Sequence, residues 1–356
     1  MPNAVCNHYL RRGRTALMAC GLGFVALQAG LVLVQEAWPS VADPFYRAKL
    51  AALNRRYAPE SGATLIAMFG SSRTFNNFDA ARLEQSLTQA TGHRTVVHNM
   101  GFTGAGPVPG FVYLRRMVRA GIAPDVAIFE VMPPFFNQGE LPFITKLFPA
   151  ERLAVQEVKF VERYLSAYPE PFHVWAGKIV PWFTQRAELM HAVSPKLLID
   201  PWRFYAPFDE HGFSGIDPSR RSPEVFEIGM QFSRKSYANS LRHFRLGGVS
   251  CQALRDALAY CREHDIRAML LLLPEGIEFR SWYVPETQAQ LLEFLRDLQR
   301  DFGVAVIDAS DWIDDERSLD GHHLLTDGAA ELADRIAPRL AAVAQARGIE
   351  RNRKLR

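Results

Sequence analysis

The chain has 356 residues, 48% apolar and 22% charged, with a formal net charge of +3. That length fits one large α/β domain with an insertion, or two domains, and the apolar share supplies a real core. A charge this small gives no global case for nucleic-acid binding. Four cysteines make no disulfide framework: Cys251 and Cys261 lie too far apart on one helical segment to bridge, and with Cys6 and Cys20 they read as free thiols.

Arg11, Arg12 and Arg14 precede Thr15–Val34, a run in which only Thr15 and Gln28 are clearly polar. As a helix it is roughly 30 Å long, the thickness of a bilayer core. The basic residues in front place the N-terminus in the cytoplasm and the body of the chain outside it. Trp38 is placed for the far interface. A cleaved signal peptide is the rival reading, but no A-x-A site follows the run. Leu17-Met18-Ala19-Cys20 has too short an apolar stretch before it to act as a lipoprotein signal. A buried soluble helix is the remaining alternative.

From Asp43-Pro44 to Tyr57 the chain reads as a linker and a polar helix. Thr64–Phe69 is a short apolar strand, and Asp79–Gln89 is a helix with Leu83 and Leu87 at helical spacing. Thr95–His98 is a second strand, ending at Asn99. Gly101 to Pro107 is a glycine-rich turn before a helix over Phe111–Ala120. Asp125–Met132 is a third strand, stopped by Pro133-Pro134. Residues 135–250 break this rhythm: they are rich in aromatics, lack clear strands, and read as a helical insertion. Ile266–Leu273 is a fourth strand, Gln288–Phe302 an amphipathic helix, and Val304–Ile307 a fifth strand. A last helix, Asp327–Ala342, is capped by Thr326 or Asp327. Apolar strands alternating with helices predict a parallel five-stranded sheet covered on both faces. The expected division is 1–40 as stub and anchor, 41–134 with 251–345 as the α/β domain, 135–250 as insertion, and 346–356 as a basic tail that is frayed or disordered.

In open parallel sheets, sites form beyond the carboxyl ends of strands. Ser72 follows the first strand, Gly104 the second, Pro134 to Asn137 the third, and Asp320 and His323 the fifth. A serine needs a base to take its proton, and the base needs a carboxylate to orient it. Ser72 as nucleophile, His323 as base and Asp320 as orienter meet that need. The backbone N–H groups of Ser72 and Gly104 are candidate oxyanion donors. The plainer readings are cap hydroxyls at Ser71 and Ser72, a turn carboxylate at Asp320, and solvated histidines at 322 and 323. No third ligand stands beside the two histidines at metal spacing, and no lysine completes a phosphate loop, so neither metal nor cofactor is expected.

The residues Gly70-Ser71-Ser72, Asn99-Met100-Gly101-Phe102-Thr103-Gly104 and Asp320-Gly321-His322-His323 resemble, in order, three blocks of the SGNH (GDSL-like) hydrolase superfamily. Serine replaces aspartate in the first. The resemblance implies a three-layer α/β/α, flavodoxin-like fold over residues 64–134 and 266–340. The family's third block, Gly-x-Asn-Asp, is replaced by Val131-Met132-Pro133-Pro134-Phe135. The first asparagine after it is Asn137, the substitute oxyanion donor. Gly-Ser-Ser-Arg, the anchor and Asp43-Pro44 are similar to membrane-anchored members that modify cell-envelope polysaccharides beside a multi-pass membrane acyltransferase. The resemblance therefore implies an extracytoplasmic acyl, here acetyl, transferase or esterase acting on glycan hydroxyls through an acyl-enzyme. The alternative is a non-catalytic partner in a polysaccharide assembly complex. Trp175, Trp182 and Trp202 are candidates for sugar stacking or for packing a lid. Arg220, Arg221, Arg234, Lys235, Arg242 and Arg245 form either an anion-binding or a solvated basic face.

Overall fold

The computed structural model of the chain describes residues 2–37, 43–138, 152–164, 180, 182 and 207–354. The chain divides into two compact units. One comprises Met1–Arg47 with Pro149–Tyr205, the other Ala48–Phe148 with Ala206–Arg356. Trp175 and Trp202 lie outside the described residues, as does the side chain of Cys6. Cys20, Cys251 and Cys261 are free thiols.

In the first unit, helix α1 spans Pro2–Ala37. Its stretch Arg12–Val34 is long and apolar enough to cross a membrane, with a mean hydropathy of 2.2 and almost no buried side chain. Leu17, Leu22, Val25 and Leu33 all face outward. A soluble core helix would bury them, so their exposure agrees with a bilayer partner. Helix α2 (Pro44–Arg56) crosses into the second unit.

The second unit carries five strands: β1 (Thr64–Phe69), β2 (Thr95–Asn99), β3 (Val126–Glu130), β4 (Arg267–Leu272) and β5 (Ala305–Asp308). They form one sheet of order β2-β1-β3-β4-β5, and every pair is parallel. Every residue of β1, β2 and β3 is buried, as expected for strands covered on both faces. Helix α3 (Ser72–Asn77) follows β1 directly, then α4 (Ala80–Thr91) and α5 (Pro107–Arg119). Helix α6 (Val155–Val161) belongs to the first unit. Beyond it run α7 (Pro223–Ser233), a π-helical turn over Arg234–Ala238, α8 (Asn239–Arg242) and α9 (Gly248–Glu263). Helices α10 (Ile277–Ser281), α11 (Pro285–Phe302) and α12 (Thr326–Lys354) complete the unit.

Alternation along the strands decides which layer each residue meets. Ile66, Met68, Val97, Ile128, Met269 and Leu271 pack with Leu83 and Leu87 of α4 and Leu332, Ile336 and Leu340 of α12. On the opposite face α5 and α9 pack together, and Phe69 stacks on Phe129 at 5.6 Å. Burying each such side chain is worth about 1.5–3 kcal/mol. Three layers result, α/β/α, as the alternation predicts. The backbone of α12 stays helical to Lys354, so the expected frayed tail continues the last helix. The strand order reverses between β1 and β3, which opens a crevice at their carboxyl ends.

Candidate active site

Ser72 is the first residue of α3, and Ser71 is its N-cap, accepting the Arg73 N–H on Oγ at 3.1 Å. The two serines thus separate in role: one caps the helix, the other points its hydroxyl at His323. Ser72 Oγ lies 2.8 Å from His323 Nε2, and His323 Nδ1 lies 2.7 Å from Asp320 Oδ2. The second carboxylate oxygen of Asp320 accepts the backbone N–H of His323 at 2.9 Å. This is the geometry of a nucleophile, a base and a carboxylate that fixes the base's tautomer.

The loop bearing Asp320 and His323 is closed on itself and tied to α3. Ser318 and Leu324 form an antiparallel bridge, and Leu319 N–H donates to His323 O. Gly321 takes φ of +81°, a conformation only glycine adopts freely, and Met230 of α7 fills the space its side chain would need. Asn77, the last residue of α3, is fully buried. Its Nδ2 donates to His322 O at 2.9 Å and its Oδ1 accepts Leu324 N–H at 2.8 Å. One short helix therefore carries Ser72 at its start and holds both neighbours of His323 at its end.

The electrostatics separate the two histidines. His322 is 3% exposed, and burial pushes its pKa down to about 3 despite Asp320. It is a neutral packing ring, edge-on to Tyr237 at 5.5 Å and within 3.2 Å of Ser233 Oγ through Nδ1. Tyr237 sits in the π-helical turn, and burial pushes its own pKa up to about 12. Burial works against charge on Asp320 too. The neighbouring His323 and His322, with the His323 hydrogen bonds, outweigh it and hold the carboxyl far below its usual range.

The glycine turn is stitched to the turn that carries Ser72. Asn99 Nδ2 donates to Thr74 O and Phe78 O at 2.7 and 2.9 Å, its Oδ1 accepts Gly101 N–H, and Phe102 N–H donates to Gly70 O. Gly104 is buried with φ of +75°. Among the described residues neither the Ser72 N–H nor the Gly104 N–H donates a hydrogen bond, so both expected oxyanion donors are unspent. Asn137 is differently engaged. Its Nδ2 donates to Ser240 O and Oγ at 3.1 and 2.8 Å, and its Oδ1 accepts Arg245 N–H. Pro133, Pro134, Phe135 and Phe136 are all buried and present no side-chain donor.

Donor atoms of Asp320, His322 and His323 lie within 4.8 Å of one another, so Asp320 supplies the third ligand that spacing alone did not show. Both His323 nitrogens are already engaged by Ser72 and Asp320, and a metal would have to break that relay.

Several residues escaped the sequence reading. Lys49 on α2 is fully buried, and its Nζ donates to Asn99 O, Gly101 O and Gly212 O at 2.7, 2.6 and 2.8 Å. Burial pushes its pKa well below the usual lysine value. Three carbonyl acceptors call for the three donors of the protonated amine. Arg73, 1% exposed, pairs with Glu275 at 2.9 Å and caps Leu273 O, while Tyr283 Oη donates to the same Glu275 oxygen at 3.0 Å. Burial alone would lower the Arg73 pKa; Glu275 and Glu130 reverse this and raise it. The available signal was a charged residue a few positions past an apolar strand, Arg73 after β1 and Glu275 after β4; Lys49 lies inside α2 and carries none.

No protein-family model and no curated protein matches the chain. Solved structures similar to it include a protein provisionally described as an acylhydrolase from Bacteroides fragilis, at 10% identity and TM-score 0.37, covering 84% of this chain and 96% of that one. A second, provisionally described as a lipolytic protein of the G-D-S-L family, comes from Desulfitobacterium hafniense, at 11% identity and TM-score 0.35, covering 78% and 99%. A third, provisionally described as an arylesterase, is from Agrobacterium tumefaciens, at 11% identity and TM-score 0.32, covering 78% and 98%. What the site can do follows from its own geometry.

Proposed function

We propose that the protein is a membrane-anchored serine acyl transferase or esterase of SGNH type, acting on hydroxyls of an extracytoplasmic polysaccharide. One observation carries the enzyme reading: the unbroken relay from Ser72 Oγ to His323 Nε2 at 2.8 Å and from His323 Nδ1 to Asp320 at 2.7 Å. Ser72 Oγ attacks the acyl carbonyl as its proton passes to His323 Nε2. Asp320 stabilises the imidazolium, and the Ser72 and Gly104 N–H groups receive the oxyanion. His323 then protonates the leaving group. In the second step it takes a proton from a sugar hydroxyl or water, which attacks the acyl-Ser72 ester. The basic residues before Arg12–Val34 support an anchor with its N-terminus in the cytoplasm. A multi-pass membrane acyltransferase is the partner this reading supplies for the acyl group.

The test uses the full chain in detergent, a fluorophosphonate probe and a short-chain aryl ester. Labelling mapped to Ser72 and ester turnover should both vanish in Ser72→Ala. Equal turnover in wild type and variant would overturn the assignment.

The second reading, a non-catalytic partner in the same kind of complex, is favoured by the engagement of Asn137 with Ser240 and by the donor-free Pro133–Phe136 turn. A missing oxyanion donor costs on the order of 10²–10³ in rate. Acylated glycan that persists in cells carrying the Ser72→Ala, His323→Ala double variant would select it.

A further inference from the structure

The nucleophile turn is gripped from below by a carboxylate. Glu130 is the last residue of β3, whose Phe129 pairs with Phe69 of β1, so it emerges beside Gly70 at the β1–β3 crevice. Its Oε2 accepts the Ser71 N–H at 2.6 Å and the Thr74 hydroxyl at 2.8 Å, and its Oε1 accepts the Ser71 hydroxyl at 3.0 Å. Arg73 Nε, which has no hydrogen bond of its own, lies 3.7 Å from Oε1. Glu130 is 7% exposed and Arg73 1%, so these bonds form away from water. Gly70 is required: any Cβ there would fall on Thr74 Oγ1 and the Glu130 carboxylate.

The bonds have a consequence for the residue between them. The Ser71 N–H is spent on Glu130, and the Arg73 N–H is spent on Ser71 Oγ. Ser71 Oγ is in turn held by Glu130. The Ser72 N–H, flanked by two engaged donors, is left without a partner among the described residues. Glu130 thereby fixes the residues on both sides of Ser72 and sets the direction of both its hydroxyl and its N–H. A carboxylate buried without such partners would be costly, and three donors with one guanidinium satisfy it.

We propose that Glu130, braced by Arg73, is a positioning residue that holds Ser72 Oγ and the Ser72 N–H in attacking geometry. The proposal rests on Ser72 being the nucleophile. It assigns to the end of β3 a role exerted through the nucleophile turn, in a chain whose following turn offers no side-chain donor.

The experiment measures the second-order rate of fluorophosphonate labelling at Ser72, the kcat and KM for a short-chain aryl ester, and the melting temperature. It compares wild type with Glu130→Gln and Thr74→Val, all in the full chain. Glu130→Gln keeps the volume but removes the charge beside Arg73 and one of the two acceptor oxygens. Thr74→Val keeps the shape and removes one donor. Labelling should slow about 10- to 100-fold in Glu130→Gln and about 3- to 10-fold in Thr74→Val, with KM within about twofold of wild type, as displacement of a reacting group predicts. If Glu130→Gln does not fold, Thr74→Val decides. Folded variants labelled as fast as wild type, whatever their melting temperatures, would show a purely structural carboxylate and overturn the proposal. Wild type that takes up no label at Ser72 would sink the nucleophile assignment, and this proposal with it.

Discussion

His322 and His323 are neighbours in sequence with opposite surroundings. His323 is 19% exposed and bonded at both nitrogens, whereas His322 is 3% exposed and packed against Tyr237 and Phe279. Burial lets His322 accept a proton only near pH 3, while an unfolded histidine accepts one near 6.5. The unfolded state therefore binds more protons between these values. The contribution of His322 to stability is complete above about pH 6.5 and is lost as pH falls toward 3. Asp320 has the opposite ionic form but the same direction. Its depressed pKa stabilises the fold above the unfolded value and is lost below it. Urea unfolding at pH 7.5, 6 and 5 should show stability falling steadily in wild type, and His322→Gln should flatten that slope. An equally steep slope in the variant would mean that another group is responsible.

Helix α3 is six residues long, too short to be stable alone, and its ends are set by tertiary bonds. Its N-terminus rests on Glu130, its middle carbonyl, Thr74 O, accepts from Asn99 Nδ2, and its last residue, Asn77, clamps the backbone on either side of His323. Asn77→Ala leaves one donor and one acceptor buried without partners, at about 1–3 kcal/mol each. It should lower stability by roughly 2–6 kcal/mol and slow fluorophosphonate labelling by more than Asn76→Ala, which loses only a bond to Ser214 O. Lys49 does for the glycine turn what Asn77 does for the histidine loop. Lys49→Met would strand the carbonyls of Asn99, Gly101 and Gly212 and should cost about 3 kcal/mol or more. A melting temperature within two degrees of wild type would count against that role.

The whole chain combines an apolar N-terminal helix with an α/β unit whose site lies at the switch between β1 and β3. A variant lacking residues 1–40 should leave the membrane pellet after alkaline wash and keep wild-type labelling at Ser72. Retention in the pellet would mean that α1 is not the sole membrane attachment.

The five strands were legible because each is a short apolar run between turn residues, a local pattern. The meeting of Ser72, Asp320 and His323 was legible too, since the rule that sites gather at strand ends needs only strand positions. Strand ends shifted by a residue or two, and Glu130 was read as the interior of a longer strand when it is the last residue of β3. Lys49, Asn77, Arg73, Glu130 and Glu275 were not legible as a set. Apart from Tyr283, which is eight positions from Glu275, and from bonds within the Ser72 turn itself, their side-chain partners lie between 50 and 247 positions away. Asn137 shows the same limit from the other side: an asparagine after β3 was visible, but its engagement with Ser240 depended on a segment 103 residues later. The sequence alone determined the strand and helix pattern, the apolar N-terminal helix and the residue types able to carry acyl chemistry, because those depend on periodicity and chain order. Only the tertiary structure decided which carboxylate, amide and ammonium hold the turns that present them. Those choices depend on burial and on hydrogen bonds between distant parts of the chain.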